Sequence, residues 1–208
     1  MVAIHRPPPS KPVAPVFHSL KAGQILFRLQ RPGRPLFRFH GPLHRFDHHI
    51  PDWSKPGAPP KASPDRGACY FGRTLSGCLV EVFGDTRIVT DNGHVLLSLK
   101  VTRTIKLLDL RGPGALGAGT VAAISGHADT VLTQEWARYF YEDPTQQYRA
   151  IDGLIYANAH NHEDALVIFE RAKGGLNAKG AKKAALKHPS LRRELLQAAA
   201  ENNLVVMF

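Results

Sequence analysis

Proline is concentrated at one end of this chain, and that distribution limits what the first third can fold into. Thirteen of the 16 prolines lie within residues 1–66. Because proline lacks a backbone N–H and its ring blocks a helix interior, this region is predicted to be extended or irregular. We interpret residues 1–21 as an extended N-terminal arm and residues 31–66 as a long loop. Four aromatic side chains indicate that the loop packs onto a core: Phe37, Phe39, Phe46 and Trp53.

The rest of the composition is ordinary for a globular protein. Of 208 residues, 43% are apolar and 21% are charged, which leaves enough apolar side chain to bury a core. No run approaches the ~18 apolar residues of a membrane span, and residues 1–15 lack the apolar stretch of a secretory signal. Two cysteines, Cys69 and Cys78, exclude a disulfide framework and a four-cysteine zinc site. We therefore expect a cytoplasmic protein with no membrane partner.

Periodicity predicts short strands interrupted by helices. Apolar residues recur at helical spacing within residues 74–84, and Thr74 is the expected N-cap. The other predicted helices cover 129–142, 179–186 and 190–202, and the predicted strands cover 24–29, 68–71, 104–110, 153–157, 165–169 and 204–208. No regular βαβ repeat is present. The predicted fold class is therefore α+β, with mixed, mostly antiparallel sheets and interspersed helices.

Positive charge is spread unevenly along the chain. The net charge is +10, with +8 in residues 1–66, −3 in residues 67–172 and +5 in residues 173–208. A basic balance indicates an anionic partner, such as nucleic acid, a phosphorylated ligand or an acidic protein. The mildly acidic middle argues against a protein whose whole body binds DNA.

Three side chains are candidates for chemistry, and each has an ordinary structural alternative. Glu81 lies off the apolar stripe of the helix predicted at 74–84, so it is either a solvated carboxylate or a carboxylate at the edge of a cleft. Arg28, within a predicted strand, is either an exposed edge charge or a fork for an anion. Tyr70 is either a packed core ring or an aromatic surface for a ligand.

Histidines are abundant in the proline-rich third. Four of them fall within ten positions: His40, His44, His48 and His49. Their spacing in a helix would suit a metal, but Gly41 and Pro42 oppose a helix, and Asp47 is the only nearby carboxylate. We favour hydrogen-bonding loop histidines, and we expect no metal.

An ordered series of short motifs resembles one known family. The motifs are FR at 27–28, HRF at 44–46, GACYFG at 67–72, LVEV at 79–82, TRTIKLLDL at 102–110, TQEWA at 133–137, DGLIYAN at 152–158 and ALVIF at 165–169. In this order they resemble the RES domain, the toxin half of bacterial toxin–antitoxin pairs. The resemblance covers about residues 22–172. It leaves residues 1–21 as the arm and residues 173–208 as a basic, helical C-terminal tail.

The resemblance assigns candidate roles residue by residue. The domain is named for an Arg, a Glu and a Ser, and Arg28 and Glu81 match the first two. Arg45 resembles the arginine of the family's GRW(N) turn, although Phe46 and Asp47 stand in place of Trp and Asn. Tyr70 matches the aromatic of a Y-L-A strand. The serine is the departure, because Asn158 occupies its expected position and Ser125 lies in another loop.

The resemblance also implies an activity and a partner. RES domains are similar in fold to ADP-ribosyltransferases and consume NAD by hydrolysis, phosphorolysis or transfer of ADP-ribose to a protein. In that chemistry Glu81 stabilises positive charge on the ribose, Arg28 and Arg45 hold the pyrophosphate, and Tyr70 stacks on nicotinamide. Asn158 or Ser125 hydrogen-bonds the amide or the ribose.

A cognate antitoxin blocks such a toxin, and DNA is contacted only indirectly through their complex. Two alternatives stay open. One is a RES-like protein that binds without turnover, because the serine is replaced. The other is a basic nucleic-acid-binding module, indicated by the net charge and by the arginine and phenylalanine residues interleaved at 27–46.

Overall fold

The computed structural model describes residues 3–39, 41, 44–50, 55, 61–126 and 129–208. Within these residues the chain forms twelve strands and four α-helices. The strands are β1 (Phe17–Leu20), β2 (Ile25–Gln30), β3 (His49–Ile50), β4 (Lys61–Ala62), β5 (Ala68–Gly72), β6 (Ile88–Val89), β7 (Val95–Lys100), β8 (Ile105–Asp109), β9 (Gly153–Ala157), β10 (Asp164–Phe169), β11 (Lys182–Ala185) and β12 (Val205–Val206). The helices are α1 (Leu75–Phe83), α2 (Pro113–Gly117), α3 (Thr130–Glu142) and α4 (Arg192–Glu201), and 3-10 turns cover Ala122–Ser125, Glu170–Gly175 and Pro189–Leu191.

Eight of the strands form one sheet in the order β1-β8-β9-β10-β5-β2-β7-β11. Every neighbouring pair is antiparallel except β8 and β9, which run parallel. Two small sheets pair β12 with β6 in parallel and β3 with β4 in antiparallel orientation. The predicted α+β class with mostly antiparallel pairing is confirmed.

The main sheet is buried on both faces, as the side chains of β10 show by pointing alternately into two different apolar clusters. Val167 and Phe169 face a cluster that includes Trp136 and Phe140 of α3. Leu166 and Ile168 face the opposite cluster, which the loop residue Phe39 also joins. A third cluster packs α1 and α4 together with parts of β6 and β7. Because successive strand residues point to opposite faces, a strand covered on both sides is apolar throughout, as ALVIF is.

Helix α1 forms where the sequence predicts it. Thr74 is the N-cap, and its side-chain oxygen accepts a hydrogen bond from the N–H of Gly77 at 2.9 Å. The apolar stripe of the helix, including Leu75, Leu79 and Phe83, is buried against α4 and β7. Glu81 lies off that stripe, as the periodicity predicts.

The N-terminal arm joins the main sheet. Phe17–Leu20, assigned from the sequence to the arm, forms the edge strand β1 and pairs with β8. Further upstream, Trp136 Nε1 donates a hydrogen bond to the carbonyl of His5 at 2.8 Å, and Arg6 pairs with Glu135. Contacts with the sheet therefore begin upstream of residue 22.

The helix predicted at 179–186 is wrong. Lys182–Ala185 forms the edge strand β11 instead, and its Ala184 and Ala185 pair with Leu96 and Val95 of β7. Lys and Ala favour helices, but an unpaired strand at the sheet edge offers backbone partners that outweigh this preference. The helix predicted at 190–202 and the terminal strand are confirmed as α4 and β12.

The long loop packs onto the core as predicted where it is described. Phe39 is 5% exposed and Phe46 is completely buried. Trp53 and His40 lie outside the described residues. In the described part of the chain, no helix has both the length and the apolarity to span a membrane.

Candidate functional site

A cleft of about 580 Å³ opens beside β2, β5 and α1, at the end of β9. Five of the six residues predicted from the sequence line it: Arg28, Arg45, Tyr70, Glu81 and Asn158. They come from five separate parts of the chain, so the fold brings them together. Ser125 is not among the lining residues, although it contacts one of them.

Glu81 projects into this cleft from α1. Its side chain is accessible to solvent through the open cleft, and Oε2 accepts a hydrogen bond from Asn158 Nδ2 at 2.8 Å. Partial desolvation by the cleft walls raises the pKa of Glu81, while the positive charge of Arg45 acts in the opposite direction. Glu81 is thus a solvent-accessible carboxylate that lies in a cleft and is held there by one hydrogen bond.

The orientation of Asn158 is fixed by the backbone. The residue follows β9 and is 2% exposed. Its Oδ1 accepts the N–H of His160 at 2.7 Å, and its own N–H donates to the carbonyl of Glu163 at 2.8 Å. Because Oδ1 is occupied by a backbone donor, the Nδ2 group must face Glu81. The residue at the expected serine position therefore serves as a hydrogen-bond donor to Glu81.

Tyr70 is anchored through its hydroxyl. This group donates to Asp47 Oδ1 at 3.1 Å and accepts the N–H of Phe46 at 3.0 Å. Burial and the neighbouring Asp47 carboxylate raise the pKa of Tyr70, so the phenol stays protonated. With the hydroxyl engaged, the aromatic ring is the part of Tyr70 that a ligand can contact.

Asp47 was not selected from the sequence, yet it organises this wall. It is 1% exposed, its Oδ2 accepts the N–H of His44 at 2.9 Å, and Arg38 approaches the same oxygen at 3.7 Å. Burial raises the pKa of Asp47, opposed by these donors. The His44 ring also lies edge-on to Tyr70, with centroids 5.5 Å apart.

The cleft is rich in guanidinium groups. Arg28 donates from Nη1 to the sulfur of Cys69 at 2.7 Å, and Arg45 donates to the carbonyl of Ser125. Three more arginines line the cleft and were missed from the sequence: Arg31, Arg34 and Arg38. Their signal in the sequence is the interleaving of arginine and phenylalanine residues at 27–46, which indicates the alternative of a nucleic-acid-binding module.

Ser125 contributes its backbone and not its hydroxyl. It ends the 3-10 turn Ala122–Ser125 and is 5% exposed. Its Oγ has no hydrogen-bond partner among the residues that the structure describes. Its carbonyl accepts a hydrogen bond from Arg45, so Ser125 helps to position this cleft-lining side chain.

The histidine cluster does not assemble a metal site in the described ranges. His44 lines the cleft, His48 is buried, and His40 lies outside those ranges. No group of three His, Cys, Asp or Glu residues there is arranged to hold a metal ion.

The chemistry available in the cleft follows from its charges. Guanidinium forks bind phosphate oxygens, often through two parallel hydrogen bonds. A carboxylate that is fixed in place stabilises positive charge that develops at a reacting carbon. A ligand with anionic groups and one centre that becomes cationic would complement both.

Comparison with known proteins agrees with this arrangement. The model of the RES domain family matches residues 25–190. Among solved structures, a chain of the Mycobacterium tuberculosis MbcT-MbcA toxin–antitoxin complex is similar, with a TM-score of 0.54 and 16% sequence identity. The match covers 85% of this chain and 91% of that chain. No curated protein sequence matches the chain.

Proposed function

This chain belongs to the RES domain family, and on that premise we propose that it is a toxin that cleaves the nicotinamide–ribose bond of NAD. The observation that carries the proposal is the hydrogen bond from Asn158 to Glu81, 2.8 Å long, within a cleft that Arg28 and Arg45 also line. It places one oriented carboxylate among groups suited to a pyrophosphate. The volume of about 580 Å³ is in the range of clefts that bind small molecules.

The proposed reaction separates charge at one carbon of the ribose. The bond from C1′ to the nicotinamide nitrogen breaks, and neutral nicotinamide leaves with the electron pair. Positive charge then develops on the ribose, as at other glycosidic centres, and the Glu81 carboxylate stabilises it. When water adds its oxygen to C1′, the products are ADP-ribose, nicotinamide and one proton. When hydrogen phosphate adds its oxygen to C1′ instead, the products are nicotinamide, ADP-ribose phosphorylated at that carbon and one proton.

Each neighbouring group has a part in binding. Arg28 and Arg45 hold the pyrophosphate, since each guanidinium presents two parallel donors. The ring of Tyr70 stacks on nicotinamide. Asn158 orients Glu81 by donating to it and favours the ionised form of the carboxylate, a role that needs no hydroxyl group. Loss of the family serine is therefore compatible with turnover.

A partner protein completes the proposed system. The similar solved chain comes from a toxin–antitoxin complex, and we propose that an antitoxin covers the cleft of this chain in the cytoplasm. The basic segments 1–66 and 173–208 provide surfaces for such a partner. DNA is contacted only through the complex.

The test is NAD consumption by the purified protein, with and without phosphate, with products identified by mass spectrometry. Free nicotinamide with ADP-ribose, or with its phosphorylated form, supports the proposal and identifies the acceptor. An intact protein that binds NAD in calorimetry without releasing nicotinamide, even when candidate protein acceptors are added, contradicts it. That outcome would favour the RES-like protein that only binds.

A further inference from the structure

A tight turn directly after β2 carries two of the cleft arginines. In the sequence RPGR, the N–H of Arg34 donates to the carbonyl of Arg31 at 3.4 Å. Gly33 at the third position has φ of +72°, and Pro32 occupies the second position, as is typical of a type II turn. The turn keeps its first and last residues close, with Cα atoms less than about 7 Å apart. The backbone positions that carry the two guanidinium groups are therefore close together.

The turn is held in place by two neighbours. Gln30 Nε2 donates to the carbonyls of both Arg34 and Pro35, the latter at 2.8 Å. On the other side, a Cβ at Gly93 would lie 2.6 Å from Cγ of Pro32, so the absence of a side chain there permits close packing. The arginine pair thus starts from a fixed backbone, which lowers the entropy lost on binding a ligand.

The two arginines differ from the other guanidinium groups of the cleft. The side chains of Arg28, Arg38 and Arg45 are engaged by Cys69, Asp47 and Ser125, respectively. Arg31 and Arg34 are exposed and line the cleft. Neither side chain has an ion pair or hydrogen bond within the described part of the chain. Their charges are available to a ligand.

The acidic residues of the cleft do not neutralise this pair. The positive groups that act on the Glu81 carboxylate are Arg45 and His160, and Asp164 is paired with Arg111 at 2.7 Å. A pyrophosphate held by Arg28 and Arg45 leaves the two turn arginines without an anion. Like charges held close together repel one another, and a bound dianion offsets that repulsion.

We propose that Arg31 and Arg34 form a second phosphate subsite, which binds a phosphate group additional to the pyrophosphate of the dinucleotide. This inference rests on the proposed function and specifies its ligand. A phosphate monoester carries about −1.5 to −2 charge and three acceptor oxygens, which suits two adjacent guanidinium forks. The group is either attached to the dinucleotide, as the 2′-phosphate of NADP, or free as inorganic phosphate.

The experiment compares two double variants that remove the same charge. One is Arg31→Ala with Arg34→Ala, and the control is Arg192→Ala with Arg193→Ala, two exposed arginines of α4 that do not line the cleft. Nicotinamide release is measured from NADP and NAD without phosphate, at one ionic strength. A second arm follows NAD cleavage as inorganic phosphate is added.

The expected result has two forms, one for each source of phosphate. If the phosphate is part of the dinucleotide, the native chain prefers NADP, and the turn variant reduces the NADP-to-NAD ratio of kcat/KM about tenfold to a hundredfold. If it is free phosphate, the turn variant instead raises the phosphate concentration needed for half-maximal stimulation by a similar factor. Equal behaviour of both double variants in both arms overturns the subsite.

Failure of the proposed function is recognised separately. In that case the native chain cleaves neither dinucleotide. Calorimetric titration with inorganic phosphate then tests whether the two turn arginines bind phosphate, independently of any cleavage. Weaker phosphate binding by the turn variant than by the control supports the subsite. Equal binding by the two variants overturns it.

Discussion

Asn158 donates a hydrogen bond to Glu81 across 2.8 Å, and this bond joins the end of β9 to the middle of α1. The donor cannot rotate away, because its own oxygen is held by the N–H of His160. A neutral donor aimed at a carboxylate favours the ionised form, whereas desolvation in the cleft favours the protonated form. The Asn158 donor therefore opposes the desolvation that raises the pKa of Glu81.

Removing the Asn158 amide is expected to shift the acid limb of the activity profile. The pKa of Glu81 is already raised, and Asn158→Ala removes a group that stabilises the carboxylate, so the pKa rises further. NAD cleavage should then decline at a higher pH as the pH is lowered. The measurement is kcat/KM against pH, with Asn92→Ala, in an exposed turn, as the control. An unchanged acid limb would separate Asn158 from the ionisation of Glu81.

Glu81→Gln is expected to abolish NAD loss while the fold is kept. Gln has nearly the same shape and still accepts a hydrogen bond from Asn158, but it has no negative charge to stabilise the ribose cation. Nicotinamide release and far-UV circular dichroism measure the two properties. Glu194→Gln on the exposed part of α4 removes the same charge elsewhere. Full activity of the Glu81 variant would refute its role.

Arg28→Ala is expected to weaken NAD binding by about 1.5–3 kcal/mol, the contribution of a charge-assisted hydrogen bond. Titration calorimetry at constant ionic strength measures this change. Arg193→Ala, which removes an exposed charge from α4, should bind NAD like the native chain. Unchanged affinity in the Arg28 variant would remove that residue from the binding site.

Two substitutions of Tyr70 separate the contribution of its ring to NAD binding from the contribution of its hydroxyl to stability. Tyr70→Phe leaves the Asp47 carboxylate without one donor, so the free energy of unfolding should fall by about 1–3 kcal/mol. NAD affinity should be retained, since the ring is kept. Relative to Tyr70→Phe, Tyr70→Ala should weaken NAD binding by about 0.5–1.5 kcal/mol, because stacking on the ring is lost. Equal NAD affinity in the Phe and Ala variants would exclude stacking.

Asp47→Ala is expected to destabilise the protein by about 1–3 kcal/mol. The buried hydroxyl of Tyr70 and the N–H of His44 both lose an acceptor, which is more costly than the loss of an exposed pair. Urea unfolding measures the change, and Asp65→Ala in an exposed turn is the matched control. Equal stability of the two variants would show that Asp47 does not organise the wall.

Local rules predicted the elements on which the site is built. Thr74 and the apolar spacing after it were sufficient for α1, because capping and one buried stripe are properties of nearby residues. The helix prediction at 179–186 failed for the opposite reason. The strand that forms at 182–185 depends on pairing with β7, more than 80 residues earlier. A helix preference cannot show which distant edge is available.

The same limit applies to the site. Periodicity placed Glu81 off the apolar stripe, but only the path of β9 shows that Asn158 meets it. The family resemblance added Arg45 and gave Arg28 its role, whereas Asp47 was noted only as a carboxylate near the histidines and as a substitution in a motif. Arg31 and Arg34 had a readable turn signal in RPGR, but the sequence does not show that the turn borders the cleft.

The packing of α1 on α4 has a consequence for the timing of synthesis. The two helices are separated by roughly 110 residues, yet they share one buried cluster. A ribosome makes α1 long before α4, so the helix that carries Glu81 lacks its support while the intervening chain is translated. In an emerging chain, the helix that carries Glu81 is therefore fully packed only after α4 has been made.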